Sequence, residues 1–474
     1  GDVYKRQLSD ESFMEGTRSW LDNLKLRLSY GMAGADNIDA SLWRETWEST
    51  TVTFNGQTYS GYKPSGMLSN PDLKWETTIS RNIGLDFGFF NNRLSGTIDA
   101  YWNTTKDLLM CIPIDETTGY SYQYQNIGQT SNKGIEIALN YDVIRTKDFT
   151  LGVSATYNYN HNNIDELADN IIAQYGSQWA SSATTPTYDY EFREGKPVGL
   201  IRGYICDGYY TTADFNYDPA TKTYTLKPGV ADLGNQVGNY PSHYNLPEGQ
   251  KAFPGAVKLR DLDGNGVADT EDVADLGEIT HPHTGGFNLN MTWKDIDFSA
   301  GFAWATGGHV YNVNSLINMY GNKDTGAGAN KLEFISDCYQ IYDIQNGELV
   351  PVVEPDALDA LNTGAKYGVP YMENGTVLST FVEDASFLRL NTLTVGYTFP
   401  KAWTKKIGMQ RARVYATAGN LFTITGYSGI DPEVNADPNK STTAANTGNY
   451  PLLGMDYGTY PRARTFTFGV NITF

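Results

Sequence analysis

The chain has 474 residues and a formal net charge of −19, with 33 Tyr, 20 Phe, 9 Trp and 48 Gly. That length fits two or three ordinary domains or one large all-β structure, and the aromatic, Gly-rich composition suits strands and turns. The acidic balance argues against nucleic acid as a partner, and the scattered Cys111, Cys206 and Cys338 make neither a disulfide framework nor a zinc site.

At the N-terminus, Asp2 to Gln7 back-translate as GAT GTG TAT AAG AGA CAG, which resembles the transposase end sequence of shotgun libraries. Residues 1–7 are therefore expected to be a sequencing artefact, with an ordinary polar strand as the alternative. No apolar run reaches the length of a membrane-spanning helix, a test that leaves a β-barrel open. From Leu24 onward, period-two alternation recurs. Leu24, Leu26, Leu28 and Tyr30 form the first apolar face, and Ile83, Leu85, Phe87 and Phe89 the second, with Arg81 interrupting its start. Leu94, Ile98 and Trp102 follow, then Ile135 to Val143, Phe149 to Tyr159, Phe287 to Trp293 and Phe298 to Trp304. Leu393 to Phe399 is next, its face ambiguous over Phe387 to Leu390. Val414 to Ala418 is weaker, and Phe466 to Phe474 is the cleanest strand.

Short connections at Asn91-Asn92, Thr146-Lys147 and Lys294-Asp295 alternate with long ones. The long segments run roughly from Ala33 to Lys74, Met110 to Tyr120, Asn160 to Thr284, Tyr311 to Ala385 and Thr425 to Pro461. Ten strands with every second connection short predict an outer-membrane barrel with short periplasmic turns and long extracellular loops. A soluble sandwich also alternates, but its strands are usually about five or six residues long. Several strands here sustain the pattern further, and Tyr30, Trp75, Trp102, Trp293 and Trp304 fall at strand ends, as an interfacial girdle requires.

Five stretches carry a family resemblance: "NPDLKWETTISRNIGLDFGFFNNRLSGTIDAYWNTTKDLL", "NIGQTSNKGIEIALNYDVI", "DASFLRLNTLTVGYTFP", "GNLFTITGYSGIDPEVN" and "GMDYGTYPRARTFTFGVNITF". Together they resemble the C-terminal half of SusC/RagA-type TonB-dependent transporters. The resemblance implies the C-terminal ten or so antiparallel strands of a 22-stranded transmembrane β-barrel in the outer membrane. It makes residues 8–474 a partial barrel with the plug and first barrel half absent, and 163–284 a long extracellular loop. Expected partners are a SusD-like surface lipoprotein, TonB acting through the absent N-terminal part, outer-membrane lipid and the barrel insertion machinery. The expected cargo is an oligosaccharide or a peptide. The terminal Phe466, Phe468, Val470, Ile472 and Phe474 resemble the signal that the insertion machinery reads.

The segment "DLDGNGVADTED" has calcium-loop spacing. Asp261, Asp263 and Asn265 fill positions one, three and five, Gly266 the sharp turn and Val267 the carbonyl position. Asp269 takes position nine and Asp272 position twelve, where the usual residue is Glu. The expectation is Ca2+ in an extracellular loop; the alternative is a chain of Asx-turns that needs no metal. His281 and His283 could hold a metal on spacing alone but are expected at the barrel rim without a ligand role. "TGAGAN", from Thr325 to Asn330, lacks the context of a phosphate loop.

Two other functions compete with an importer of this type. One is a TonB-dependent siderophore or cobalamin receptor. The other is a secreted all-β glycoside hydrolase or glycan-binding protein, since Asp86, Asp99, Glu136 and Asp142 lie on polar strand faces. A barrel places the same face against a wet lumen, and no enzymatic activity is expected.

Overall fold

A computed structural model describes the chain except for residues 36–41, 65–66, 121, 168–189, 192, 239–242, 320–330, 373–375, 435–453 and 457. Its dominant element is one eleven-stranded sheet in which neighbours in sequence are neighbours in space. The strands are β1 (Asp2–Gln7), β2 (Leu21–Ala35), β3 (Glu76–Phe89), β4 (Leu94–Lys106), β5 (Gln129–Arg145) and β6 (Phe149–Glu166). They continue with β7 (His283–Trp293), β8 (Ile296–Thr306), β9 (Phe387–Thr398), β10 (Arg411–Thr425) and β11 (Thr465–Thr473). Every pairing between them is antiparallel.

All ten expected strands are present in the expected order, and β1 is added to them. The strand that begins the alternating series at Leu24 is thus not the sheet edge, because Asp2–Gln7 pairs with Lys25 to Tyr30. The register of β1 is unlike the others. It puts Asp2 and Arg6 opposite Tyr30 and Leu26, on the side where the other strands carry apolar residues.

The short connections collect at one end of the sheet. Phe90, Asn91 and Asn92 all have positive φ, as does Lys294, so these reversals use the left-handed region that tight turns need. The long connections leave from the opposite end. The registers sort the side chains into two faces. One row crosses Leu28, Ile83, Ala100, Ile135, Tyr159 and His283; another crosses Leu26, Leu85, Ile98, Ile137, Tyr157 and Gly285. This face is mostly apolar, as the lipid side of the expected barrel requires. The other carries Arg27, Asp99, Glu136, Asn158, Thr284 and their neighbours, and lines the lumen.

The ambiguity over Phe387 to Leu390 has a local cause. Asn391 has no partner in the ladder: Leu390 pairs with Phe302 and Thr392 with Gly301. This one-residue bulge shifts the phase, so Leu388 and Leu390 join the outward face of Leu393 and Val395, while Phe387 and Arg389 turn inward.

Most of the buried core is not in the sheet. It lies among the long connections, where Ile201, Tyr204, Tyr210, Tyr224, Leu233, Val237, Ala256, Val313, Leu358, Val377, Leu378 and Met455 are all 0 % exposed. These residues come from three connections, β6–β7, β8–β9 and β10–β11, so the loops fold on one another into a single cap. Short ladders organise it, including Leu200–Gly203 with Ala274–Glu278 and His309–Tyr311 with Val382–Asp384. Tyr224 shows why the cap is rigid. Its ring packs edge-on against Phe215 and Tyr244, and its hydroxyl donates to the Val353 carbonyl at 2.6 Å, tying two connections together. Fully burying a side chain of this size contributes about 1.5–3 kcal/mol.

Candidate functional site

The lumenal wall is built from residues whose charges largely cancel. On β2, Arg27 reaches Asp86 through Nε at 2.8 Å and Asp99 through Nη2 at 2.7 Å, and Lys25 lies 3.3 Å from Asp86. Arg27 lies flat because Gly84 leaves a notch: a Cβ there would stand 2.6 Å from the guanidinium carbon. The same device recurs where Tyr101 lies over Gly134, its hydroxyl donating to Asn160 Oδ1 at 2.9 Å. Near the opposite end of the sheet, Arg413 lies over Gly396 and donates through Nε to Asp297 at 2.8 Å. Large polar side chains are thus held against the wall and out of the lumen.

Between these pairs is an open groove of about 250 Å³, lined on the lumenal side by Thr97, Asp99, Glu136, Thr156, Asn158 and Thr284. Glu136 is exposed and has no ion-pair partner among the described residues. Asn158 donates through Nδ2 to Thr284 Oγ1 at 3.3 Å, while its Oδ1 is buried without a hydrogen-bond partner. Hydroxyls, two carboxylates and an amide make this surface a set of hydrogen-bonding groups for a polar molecule. Asp86 and Asp99, considered as hydrolase carboxylates, are both engaged by Arg27, which favours a structural ion pair over a free acid–base pair.

The acidic segment sits in the cap. One oxygen each from Asp261, Asp263 and Asp272 lies within 4.8 Å of the other two. Asp261 accepts from the Gly264 and Gly266 amides at 2.7 and 2.8 Å, and Asp272, fully buried, accepts from Leu262 and Asp269 at 2.5 and 2.8 Å. The Gly266 amide holds the Asp261 carboxyl below its ordinary range, keeping it anionic. Asn265 Nδ2 donates to Asp269 at 2.9 Å, while Asn265 Oδ1 accepts from the Val267 amide. The carboxylates of Asp261, Asp263 and Asp272 therefore converge, whereas the side chains of Asn265 and Asp269 are turned to each other. An all-oxygen set of three carboxylates fits a hard cation such as Ca2+. The segment is anchored from outside by Asp232, whose amide donates to the Gly266 carbonyl and whose carbonyl accepts from Ala268.

The histidines are used elsewhere. His283 pairs through Nδ1 with the Tyr157 hydroxyl at 2.9 Å, and His281 Nε2 lies 3.1 Å from the Ala385 carbonyl. Among the described residues, only Asp261, Asp263 and Asp272 form a metal-sized cluster of His, Cys, Asp and Glu. Thr325 to Asn330 fall outside the described residues. At the C-terminus Phe466, Phe468, Val470 and Ile472 of β11 and Phe474 just beyond it are all 44–80 % exposed, and the first four pair on the outward face with Ala418, Ala416, Val414 and Ala412.

One charged group gave no sign of its role in the sequence. Arg389, 1 % exposed on the inward face of β9, donates to Asp431 at 2.6 Å and lies 2.7 Å from Glu433. Arg462 approaches the same carboxylates at 3.5 and 3.3 Å. Both ends of the β10–β11 connection are thereby fastened to the wall at one point. The available signal was "GIDPEVN" downstream of an arginine flanked by two leucines in a strand.

Comparison with known proteins agrees with this architecture. Residues 17–246 match the family described as TonB dependent receptor-like, beta-barrel. TonB-dependent receptor P3 of Formosa agariphila is 30 % identical over 467 residues, covering 98 % of this chain and 41 % of that protein. TonB-dependent receptor SusC of Bacteroides thetaiotaomicron is 29 % identical over 475 residues, covering 99 % of this chain and 39 % of that protein. The structure of the RagAB peptide transporter superposes with a TM-score of 0.68 at 23 % identity, over 100 % of this chain and 43 % of that one. The chain spans about two fifths of the length of these curated relatives.

Proposed function

The chain belongs to the TonB-dependent receptors of SusC/RagA type and resides in the outer membrane, and from that premise we propose that it forms part of the wall and extracellular mouth of a nutrient importer. The observation that carries this reading is the pairing of a charge-balanced, flattened lumenal wall with a co-folded cap above it. Such a wall presents hydrogen-bonding groups to a polar solute along an open groove. The proposed cargo is an oligosaccharide or a peptide, delivered with a SusD-like surface lipoprotein seated on the cap and driven by TonB. The RagAB peptide transporter shares the fold, which supports keeping the peptide beside the sugar. No catalytic role is proposed for the lumenal carboxylates.

The test uses the full-length receptor expressed with its neighbouring lipoprotein gene. Co-purification of the two proteins, and uptake of a labelled oligosaccharide or peptide pool that stops when TonB is deleted, is the expected result. Uptake of an iron chelate or cobalamin instead would select the siderophore or cobalamin alternative. Hydrolysis of a glycan by the purified protein would overturn the importer.

The convergence of Asp261, Asp263 and Asp272 supports a second, independent proposal, that Ca2+ stiffens the cap. Asp261, Asp263 and Asp272 offer converging carboxylates already held by the loop, whereas the Asn265 and Asp269 side chains would have to turn from each other to join them and the Val267 carbonyl. Calcium should protect the region from Asn160 to Thr284 from proteolysis, more effectively than magnesium. Asp261→Ala with Asp263→Ala should remove the protection and leave the barrel intact. Identical digestion with calcium and with chelator would reduce the segment to a chain of turns.

A further inference from the structure

The outward face of β2 to β6 ends, on the side of the long loops, in a row of unusual chemistry. Tyr30 pairs with Arg81, Trp102 with Lys133, and Lys133 with His161. The flanking pairs Ile79–Thr104 and Ile83–Ala100 place Trp102 opposite Arg81, which makes the row continuous. It spans five strands, or about 19 Å at the usual strand spacing. The row just below it is Leu28, Ile83, Ala100, Ile135 and Tyr159, all apolar or aromatic. Arg81, Lys133 and His161 therefore stand at the upper boundary of the lipid-facing band.

These groups are available. Lys133 and His161 are exposed, and among the described residues neither Arg81 nor Lys133 has an ion-pair partner. The Arg81 guanidinium makes one bond, from Nη1 to Thr104 Oγ1 at 3.3 Å, which draws it diagonally toward β4, to the pair just above the row. Two carboxylates lie near. Asp165, above the row, accepts from Ser131, Asn163 and Gln129 and lies within electrostatic reach of Lys133 without forming an ion pair. Asp2 pairs with Tyr30 at the far end. From the level of Leu24 up to the row, the outward positions of β2 to β6 hold no acidic residue, in a chain whose net charge is −19. Trp102, 39 % exposed, supplies an interfacial ring between Arg81 and Lys133, and Tyr30, 50 % exposed, supplies one at the end of the row.

We propose that Arg81, Lys133 and His161 form a binding site for the phosphate-bearing headgroup of an outer-leaflet lipid. Lys133 and His161 are direct cross-strand neighbours and Arg81 stands two strands away, so their donors approach a single phosphate from both sides of Trp102. The acyl chains of the same lipid would lie on Leu28, Ile83, Ile135 and Tyr159. Simple snorkelling of a long side chain explains one basic residue at this height. It does not explain three nitrogen donors in one row without an acidic counterpart between them.

The experiment uses the full-length receptor in uncharged detergent and native mass spectrometry with a phosphorylated glycolipid, its dephosphorylated form, and inorganic phosphate. The phosphorylated lipid should be retained preferentially. Each cation near an anionic membrane surface contributes about fivefold, so Arg81→Gln with Lys133→Gln should weaken retention roughly thirtyfold. Lys63→Gln, at a loop ion pair with Glu48, should change nothing. Equal retention of the dephosphorylated lipid, or of the phosphorylated lipid by the double variant, would leave only snorkelling and overturn the site. Saturation by inorganic phosphate as readily as by the lipid would make it a free-anion site, which also overturns it. If the double variant fails to fold, the comparison of the two lipids on the unaltered protein still decides.

Discussion

Replacing Arg389 by Met should release the neck of the β10–β11 connection while leaving the barrel standing. Met fills much of the same volume, so the change isolates the charge. In the native arrangement Asp431, whose side chain is 8 % exposed, has Arg389 at 2.6 Å and Arg462 at 3.5 Å. Glu433 has the same two partners at 2.7 and 3.3 Å. Removing the nearer partner strands a buried carboxylate, and breaking such a pair costs about 3–5 kcal/mol. The surviving contact with Arg462 offsets part of this, so the local cost should be about 2–3 kcal/mol. At 1.4 kcal/mol per tenfold, the neck should open roughly 30- to 150-fold more often. Hydrogen exchange at the Glu433 amide, which donates to Asp431 Oδ1 at 2.9 Å, reads this directly. Adding Asp431→Asn should restore much of the protection, because the stranded charge is then gone. An exchange rate within about threefold of the parent, or no recovery in the double variant, would refute the reasoning.

Three further outcomes follow from the same structure. Cysteines placed at Asn92, in a short turn, and at Ala220, exposed in the cap, should differ in labelling by an impermeant reagent on intact cells; equal labelling would contradict the two-sided topology. The isolated segment should aggregate or resist membrane insertion, because Asp2–Gln7 and Thr465–Thr473 leave open edges; a heat-modifiable, protease-resistant monomer would show that the sheet closes on itself. In the cap, Arg260 holds the Asp207 carboxyl below its ordinary range. The contribution of that pair is complete above the ordinary carboxylate pKa and declines as pH falls through the lowered one, so Asp207→Asn should flatten the acid limb of cap protection by less than about 1 kcal/mol, and an unchanged acid limb would count against it.

The sequence by itself determined the barrel wall. Alternation such as Phe149 to Tyr159 fixes which side chains face lipid, because a one-residue slip would expose the whole apolar set to the wrong side. Short and long connections then fix which end faces which compartment. Alternation failed where the backbone itself departs from period two, at the Asn391 bulge, since an unpaired residue shifts the phase without changing composition. The acidic segment was legible because its ligand spacing is local in sequence. The cap core was not. Tyr204, Tyr224, Leu358 and Met455 lie in short, separate pieces of chain with no common period, Tyr224 in a four-residue strand and Leu358 in a seven-residue helix, and their burial depends on three connections meeting in space. Arg389 and Asp431 are 42 residues apart, and the arginine is inward only because of the bulge next to it. The row of Arg81, Lys133 and His161 is of the same kind: one basic residue interrupts each alternating strand, and only the register between strands brings the three to one height.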